Sequence, residues 1–290
     1  MIDLHLHTTA SDGDHAPSEL VALACAAGLR LISITDHDTV AGLEEAACAA
    51  SALGLGFVNG IEISTVLDGR DVHLLGYAFD PADRALTDFL RDQRDDRVRR
   101  VVEMGERLAA LGAPIDVRPI VALARAGGEQ SVGRPQIARA LVEAGHVASA
   151  LEAFERFLYE GGPAYVPRCS ATPHEVVGLI RRAGGLASLA HPVHTKRDDA
   201  IPGLVEAGLF AIEAWHADHD AQVTAHYVSL AARLDLALSG GSDFHGSARD
   251  RRLGSVVLPE AVWGEFVARA AGAGVVNLPA IPARLYTRDG

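Results

Sequence analysis

The chain is short of cysteine, of aromatic residues and of positive charge, and each shortage excludes something. Its three cysteines, Cys25, Cys48 and Cys169, are isolated, odd in number and form no CxxC pair. A disulfide framework is not expected, and a reducing compartment fits. Lys and Arg number 26 against 38 Asp and Glu, for a net charge of −12. A binder of long duplex nucleic acid normally carries a basic surface, so that class is disfavoured. A small phosphorylated substrate stays open, because bound divalent cations would reverse the sign locally. No apolar run reaches the ~18 residues of a membrane span. The opening MIDLHLHTT lacks the basic-then-apolar order of a secretory leader. A cytoplasmic protein with neither membrane nor stable protein partner is expected.

Apolar residues make up 49% of the 290, yet aromatics only 5%. The core must therefore be packed by aliphatic side chains, and the length suits one large domain or a domain with an insertion. Short strand patterns fall at 2–7, 31–35, 57–63, 72–77, 186–190, 210–214 and 236–239. Helical patterns lie between them, including 17–27 and 172–183; the latter opens on a capping box, Thr172-Pro173-His174-Glu175. Alternation of this kind is the pattern of a parallel α/β fold.

One region breaks the rhythm. Residues 83–111 form a long helical pattern whose apolar stripe is Leu86, Phe89, Leu90, Val101, Leu108 and Leu111. Its charge run, RDQRDDRVRR, reads as a solvated face. Further helices are expected at 137–144 and 150–159. The chain thus divides into a first barrel part at 1–91, a helical insertion at 92–166 that caps the substrate, and a second barrel part at 167–290. No internal repeat or low-complexity segment is present.

The chemistry-bearing residues sit at strand ends. His5 and His7 are two apart on a strand, which puts both imidazoles on one face, with Leu4 and Leu6 turned toward covering helices. Asp12, Asp14 and His15 follow in a loop. Thr35-Asp36-His37-Asp38 follows the second strand, and Glu62 lies inside GIEIS, where a carboxylate between isoleucines is costly unless paired or metal-bound. His73 lies in DVHLLGY, His191 in LAHPVH, and Asp243 with His245 in SDFH after a run of small residues. Each element has an ordinary reading: a polar strand end, a capped turn, a core histidine. Taken together they put a His or carboxylate near the end of nearly every strand, where parallel barrels carry their active sites.

The ordered set HLH, TDHD, GIEIS, VHLLGY, LAHP and SDFH resembles the PHP (polymerase and histidinol phosphatase) family. The resemblance implies a distorted (β/α)7 barrel holding two to three divalent metal ions. It implies one metal on His5, His7, Glu62 and Asp243, a second on Asp12, His37 and His245, and a third on Glu62, His73 and His191, with Glu62 bridging. Many family members have a His where Asp12 stands, and an Asp makes the second site harder and richer in oxygen. Mn²⁺, Fe²⁺ or Zn²⁺ suits this donor set, with Mn²⁺ favoured.

Clustered divalent metals suit phosphate-ester hydrolysis. A water bridging two of them has its pKa brought toward ~7 and attacks phosphorus in line, with Asp243 counted among the catalytic groups. In the expected insertion, Ser131-Val132-Gly133-Arg134-Pro135 leads into a helix; Ser131, Arg134 and the free amides are candidates to grip an anion, against the plainer reading of a surface loop. The segments GRPQIARAL, GGPAYVP and AGGLASLAHP are similar to those of the trpH-like branch of the family. That branch includes phosphatases that remove the 3′-phosphate of nucleoside 3′,5′-bisphosphates, and 5′-to-3′ exonucleases on short RNA. The first activity is the leading expectation and the second the alternative. Histidinol phosphate phosphatase, or a non-catalytic PHP module, comes after. His194 is a further candidate for phosphate contact or proton donation, and Lys196 and His219 for substrate contact.

Overall fold

The computed structural model describes residues 1–125, 129–169, 171–246 and 251–283. Seven strands neighbour one another in chain order: β1 (Ile2–Leu6), β2 (Leu31–Ile34), β3 (Gly56–Leu67), β4 (Arg70–Tyr77), β5 (Leu186–Leu189), β6 (Ala211–His216) and β7 (Ala237–Gly241). The sheet curls until its two edges meet. Asp243 donates its backbone N–H to His5 O at 2.9 Å and His7 donates to Phe244 O at 3.0 Å, so the segment after β7 lies along β1. Gly241 makes this approach possible: a Cβ there would lie 2.4 Å from His5 Cβ. The result is a distorted, nearly closed seven-stranded barrel.

The sheet is not all parallel, contrary to the expectation from alternation. β3 pairs with β4 antiparallel, and β4 pairs with β5 antiparallel; the other neighbours are parallel. The cause is local. Asp68 and Gly69 both have positive φ, 50° and 80°. They form the two-residue Asp-Gly turn that joins tightly paired antiparallel strands. β3 therefore runs on to Leu67 rather than stopping near Ile63, and β4 returns beside it. This reversal puts His73, in the first half of β4, at the same barrel mouth as the carboxyl ends of the parallel strands.

The core has three parts. The first lies between the barrel and its outer helices: α1 (Pro17–Ala26) and α2 (Leu43–Ala52) pack Leu20, Val21 and Ala46 against Ile32 and Ile34. In the same layer, α7 (Pro173–Arg182), α9 (Ile201–Ala207) and α10 (Ala221–Arg233) contribute Ile180, Leu204 and Leu230. The second is closed by α11 (Glu260–Gly272), whose Trp263 and Phe266 pack with Leu31, Val58, Leu75 and Tyr77. Leu6 belongs to the first cluster and Leu4 to the second, so the two leucines of LHLH do not share a covering layer. The β1–β2 register shifts between Asp3 and Leu6, which breaks the simple alternation. The capping box forms as expected, with Thr172 N donating to Glu175 Oε2 at 2.8 Å and Glu175 N to Thr172 Oγ1 at 3.3 Å.

The third cluster lies wholly within Val101 to Val166. The second half of α3 (Arg84–Ala110) packs there against α4 (Arg118–Arg125), α5 (Arg134–Glu143), α6 (Ala150–Ala153) and the π-helical turn Phe154–Leu158. Leu86 and Leu90, on the first half of α3, pack on the barrel instead. Two sequence expectations fail on this helix. Leu111 is exposed, because it caps the helix rather than continuing its stripe. The charge run is not wholly solvated either: Gln93, Arg97 and Arg100 are buried. Their spacing continues into Met104 and Leu108, so they occupy the inward stripe of the helix. Among the described residues no helix is long and apolar enough to cross a membrane.

Candidate active site

Glu62 is the centre of the barrel mouth. Its side chain is buried and its carboxylate faces five imidazoles. Oε2 lies 3.2 Å from His5 Nε2, 3.1 Å from His7 Nε2 and 3.2 Å from His37 Nδ1. Oε1 lies 2.7 Å from His73 Nδ1 and 2.9 Å from His191 Nε2. Asp243 Oδ1 adds contacts of 3.5 Å to His5 Nε2, 3.2 Å to His7 Nε2 and 3.4 Å to His245 Nδ1. Asp12 Oδ1 sits 3.2 Å from His245 Nε2, with His7 at 3.8 Å and His37 at 3.9 Å. All nine residues expected to ligate metal thus meet at one place, although they come from six separate segments of the chain.

The electrostatics of this cluster are those of interlocked charges. Burial alone would raise the Asp12 and Asp243 carboxyls; the surrounding imidazoles, His245 foremost in each case, hold both well below the usual range. Glu62 is lowered in the same way, with His37 and His5 outweighing its burial. Burial works against the cationic form of His7, yet Asp243 and Glu62 prevail and bring its pKa to about 9. His5 goes well above its ordinary value for a like reason, with Glu213, Glu62 and Asp243 opposing burial. His37 goes the other way, because burial and its cationic neighbours outweigh Glu62 and Asp12.

The donor set fits divalent cations. Buried ring nitrogens of His7, His37 and His245 have no hydrogen-bond partner among the described residues, although carboxylate oxygens lie close by. The nitrogens and oxygens point at shared space rather than at one another. His5, His7, Glu62 and Asp243 each offer an atom within 4.8 Å of the others, and so do His7, Asp12, His37 and His245. The backbone is strained at the same place: Asp38, His191 and Asp243 all have positive φ, at 52°, 24° and 52°. Non-glycine residues rarely adopt such angles, and they cluster at functional sites.

Two cavities adjoin at His37, His73 and Arg134. The larger, about 380 Å³, is lined by Glu62, Asp71, His191, His194, Asp218, Asp243 and Arg251 among others. The smaller, about 130 Å³, faces Asp12 and is lined by Arg97, Arg100, Arg134, Arg168, Ser131 and Phe154. Four guanidiniums crowd this second space. Arg97 is held by Asp38, Nε to Oδ2 at 2.7 Å, and by Ser64 Oγ at 3.0 Å. Asp71 faces Arg134 at 3.2 Å and Arg168 at 3.0 Å. Arg100 donates to Val166 O at 2.9 Å, while its Nη2 has no partner among the described residues; the same is true of Ser131 Oγ. Burial, and then the nearby Arg168 and Arg97, push Arg100 down to about 10. Four guanidiniums set against Asp38 and Asp71 leave the pocket with more positive charge than those two carboxylates neutralise.

The substrate candidates divide. Ser131 and Arg134 line the smaller cavity, Arg134 standing at the start of α5. His194 lines the larger cavity and bonds Asp218 at 2.9 Å. Lys196 is exposed and lines neither cavity. His219 also lines neither; its Nδ1 bonds Ala214 O at 2.9 Å and its ring stacks on Tyr227. Sequence reading passed over Arg97, Arg100, Arg168, Asp71, Glu213, His216, Asp218 and Arg251. Glu213 had a usable signal: a carboxylate inside the apolar strand FAIEAW, the same pattern that marks Glu62 in GIEIS. The arginines had none, because a helical charge run gives no sign of which members face inward.

A barrel mouth packed with imidazoles and carboxylates, beside a basic cavity, defines a hydrolase of the divalent-metal type. The chain belongs to the PHP domain family, whose model matches residues 3–251. A relative from Haemophilus influenzae named 5′-3′ exoribonuclease is 37% identical over 251 residues, covering 84% of this chain and 89% of the relative. A relative from Chromobacterium violaceum named 3′,5′-nucleoside bisphosphate phosphatase is 35% identical over 256 residues, covering 87% of this chain and 89% of the relative. A crystal structure from Bifidobacterium adolescentis, of a protein put forward as a metal-dependent phosphoesterase, superposes with a TM-score of 0.85 at 33% identity, over 92% of this chain and 96% of that one.

Proposed function

We propose that this protein is a metal-dependent phosphoesterase that removes the 3′-phosphate of nucleoside 3′,5′-bisphosphates. The observation that carries the reading is the pair of adjoining cavities, one faced by the imidazole–carboxylate cluster and the other by four arginines. A substrate with two phosphates matches a basic cavity and a ligand cluster that would attract anions once cations are bound, the two meeting at Arg134. The scissile phosphate belongs at the cluster and the 5′-phosphate in the arginine cavity, gripped by Arg100, Arg134, Arg168 and Ser131.

The ligand assignment is His5, His7, Glu62 and Asp243 for one cation, Asp12, His37 and His245 for a second, and Glu62, His73 and His191 for a third. The short distances to Glu62 and Asp12 support it. When bound, divalent cations, Mn²⁺ before Fe²⁺ or Zn²⁺, would supply activated water and charge neutralisation. The side chains do the rest. The guanidiniums orient the substrate and hold it against thermal motion, and the buried walls keep bulk water from competing. His194, lowered by burial and by His191, is neutral at pH 7. Its Nε2 donates to Asp218, so its other nitrogen is an acceptor suited to a substrate hydroxyl or a proton in transit.

The segment 92–166 acts as the cap that presents this basic wall to the cluster. A cytosolic setting fits three free thiols. The alternative, 5′-to-3′ cleavage of short RNA, uses the same two spaces; the Haemophilus relative carries that name, and the net charge of −12 favours the smaller substrate. The test is phosphate release, and RNA shortening, from 3′,5′-adenosine bisphosphate, AMP, histidinol phosphate, an aryl phosphate and 5′-phosphorylated RNA of a few nucleotides. The bisphosphate should have the highest kcat/KM. A faster rate on the RNA replaces the reading with the exonuclease, and equal rates on all monoesters remove the role of the second phosphate.

A further inference from the structure

β6 supplies none of the cation ligands proposed above, yet two of its side chains reach three of them from behind. Glu213 is completely buried. Its Oε1 lies 2.9 Å from His5 Nδ1, and its Oε2 accepts the backbone N–H of His191 at 2.7 Å. His216 is also buried. Its Nδ1 accepts from Asp218 N at 3.1 Å, which places the ring hydrogen on Nε2, and that atom lies 3.5 Å from Asp243 Oδ2.

Residues three apart on a regular strand point to opposite faces. Here they share one face because β6 is bulged. Glu213 stands opposite Ser239 and Trp215 opposite Gly240, two residues against one. The extra residue turns the strand so that Glu213 and His216 both face the cluster, and such bulges re-aim side chains beside active sites. Glu213 also touches the place where His191 holds its strained φ of 24°.

We propose that Glu213 and His216 are positioning residues that set the cation affinity of the site. Glu213 accepts the Nδ1–H of His5 and so fixes the tautomer that turns Nε2 toward the cluster, while its second oxygen pins the backbone that carries His191. His216 Nε2, which has no hydrogen-bond partner among the described residues, faces the outer oxygen of Asp243, an oxygen that Arg251 also engages, and so helps to leave Oδ1 aimed inward. Ligating histidines commonly hand their second nitrogen to a carboxylate in this way, and removing that partner costs about 10–100-fold in metal affinity or activity. The proposal rests on the ligand assignment of the preceding section.

The experiment titrates metal-stripped protein with Mn²⁺ against a fluorescent chelator, in wild type, Glu213→Gln, His216→Leu and His216→Gln, with thermal unfolding recorded for each. Glu213→Gln should bind Mn²⁺ about 10–100-fold more weakly and recover activity as Mn²⁺ is added in excess. His216→Leu should weaken binding, and His216→Gln, whose amide can still donate to Asp243, should restore most of it. If Glu213→Gln fails to fold, the His216 pair alone decides. Unchanged Mn²⁺ affinity in Glu213→Gln and His216→Leu overturns the proposal. So does a loss of turnover at saturating Mn²⁺ with affinity intact, since the residues would then act on the reaction. Wild-type protein that binds no Mn²⁺, Fe²⁺ or Zn²⁺ refutes the ligand assignment itself, a different failure.

Discussion

Arg134 Nη2 lies 3.2 Å from Asp71 Oδ2, and this ion pair stands where the two cavities of the barrel mouth meet. Asp71 belongs to β4 of the barrel and Arg134 to α5 of the helical segment, so the pair also joins the two sides of the cleft. The guanidinium is further fixed by Leu158 O at 3.3 Å and by the ring of Tyr165. Its position across the cleft is thus fixed by three separate contacts.

Arg134→Ala should separate the two phosphates. If Arg134 grips the phosphate that is not cleaved, its loss removes a charge-assisted contact of about 1.5–3 kcal/mol, or roughly ten- to a hundredfold in kcat/KM. The loss should appear on 3′,5′-adenosine bisphosphate and be much smaller on an aryl phosphate, which has no second anion. Steady-state kinetics on both substrates decide. Equal losses would assign Arg134 to the reacting phosphate or to the fold.

Asp243→Asn removes one negative charge from a carboxylate that faces His5, His7 and His245. Its shape is kept, so the barrel should stay folded by circular dichroism. Turnover should fall by more than the roughly 10–100-fold typical of groups that only support a ligand. Activity within a few-fold of wild type would exclude Asp243 from the cation site.

Metal binding should release protons. With Asp243 and Glu62 prevailing over burial, His7 has a pKa of about 9 in the metal-free protein. It is therefore cationic at pH 7.5 and must become neutral to ligate. The sign follows: affinity for Mn²⁺ falls as pH drops below about 9 and rises toward it. Calorimetry at pH 7.5 in buffers of different ionisation enthalpy should show at least a fractional proton leaving as the site that holds His7 fills. Heat that does not vary with buffer would contradict this.

Two glycine-to-alanine changes should have opposite signs. At Gly241 a new Cβ would lie 2.4 Å from His5 Cβ and 2.8 Å from Asp3 Oδ1, and β1 has no room to yield. Overpacking of this kind costs about 1–3 kcal/mol, a Tm lower by roughly 2–4 °C for each. At Gly264, in the middle of α11, the new methyl meets nothing within 4 Å. There alanine should stabilise by about 0.5–1 kcal/mol. Thermal unfolding of both variants checks the pair, and a Gly241→Ala protein with wild-type Tm would mean the β1–β7 seam yields more readily than these distances imply.

The strands were legible because short apolar runs bounded by turn residues leave a local signature. All seven lie within a few residues of where the pattern predicts them, and the capping box at Thr172 formed from its four letters alone. The direction of β4 was also written locally, in Asp68-Gly69, but alternation of strand and helix suggested a parallel sheet and hid it. Glu62 could be picked out because a carboxylate in an apolar strand carries a cost that something must offset, His5 because it shares a strand face with His7, and Asp243 because it follows a strand end.

Other features had no local signature, because they depend on which side chains lie together across the fold. Residue type and spacing were enough to locate the strand segments, the ligand-type residues at their ends and the helical break in the middle of the chain. It took the folded chain to turn Arg97 and Arg100 inward from a run of charges, because burial depends on what packs against a helix and not on its own letters. Only it decided that Lys196 and His219 miss the cavities, that Leu4 and Leu6 part company at the β1 register shift, and that a bulge in β6 turns Glu213 and His216 onto one face. Those outcomes follow from register and closure of the barrel, set by contacts more than 200 residues apart in the chain, such as that between Asp3 and Ser242.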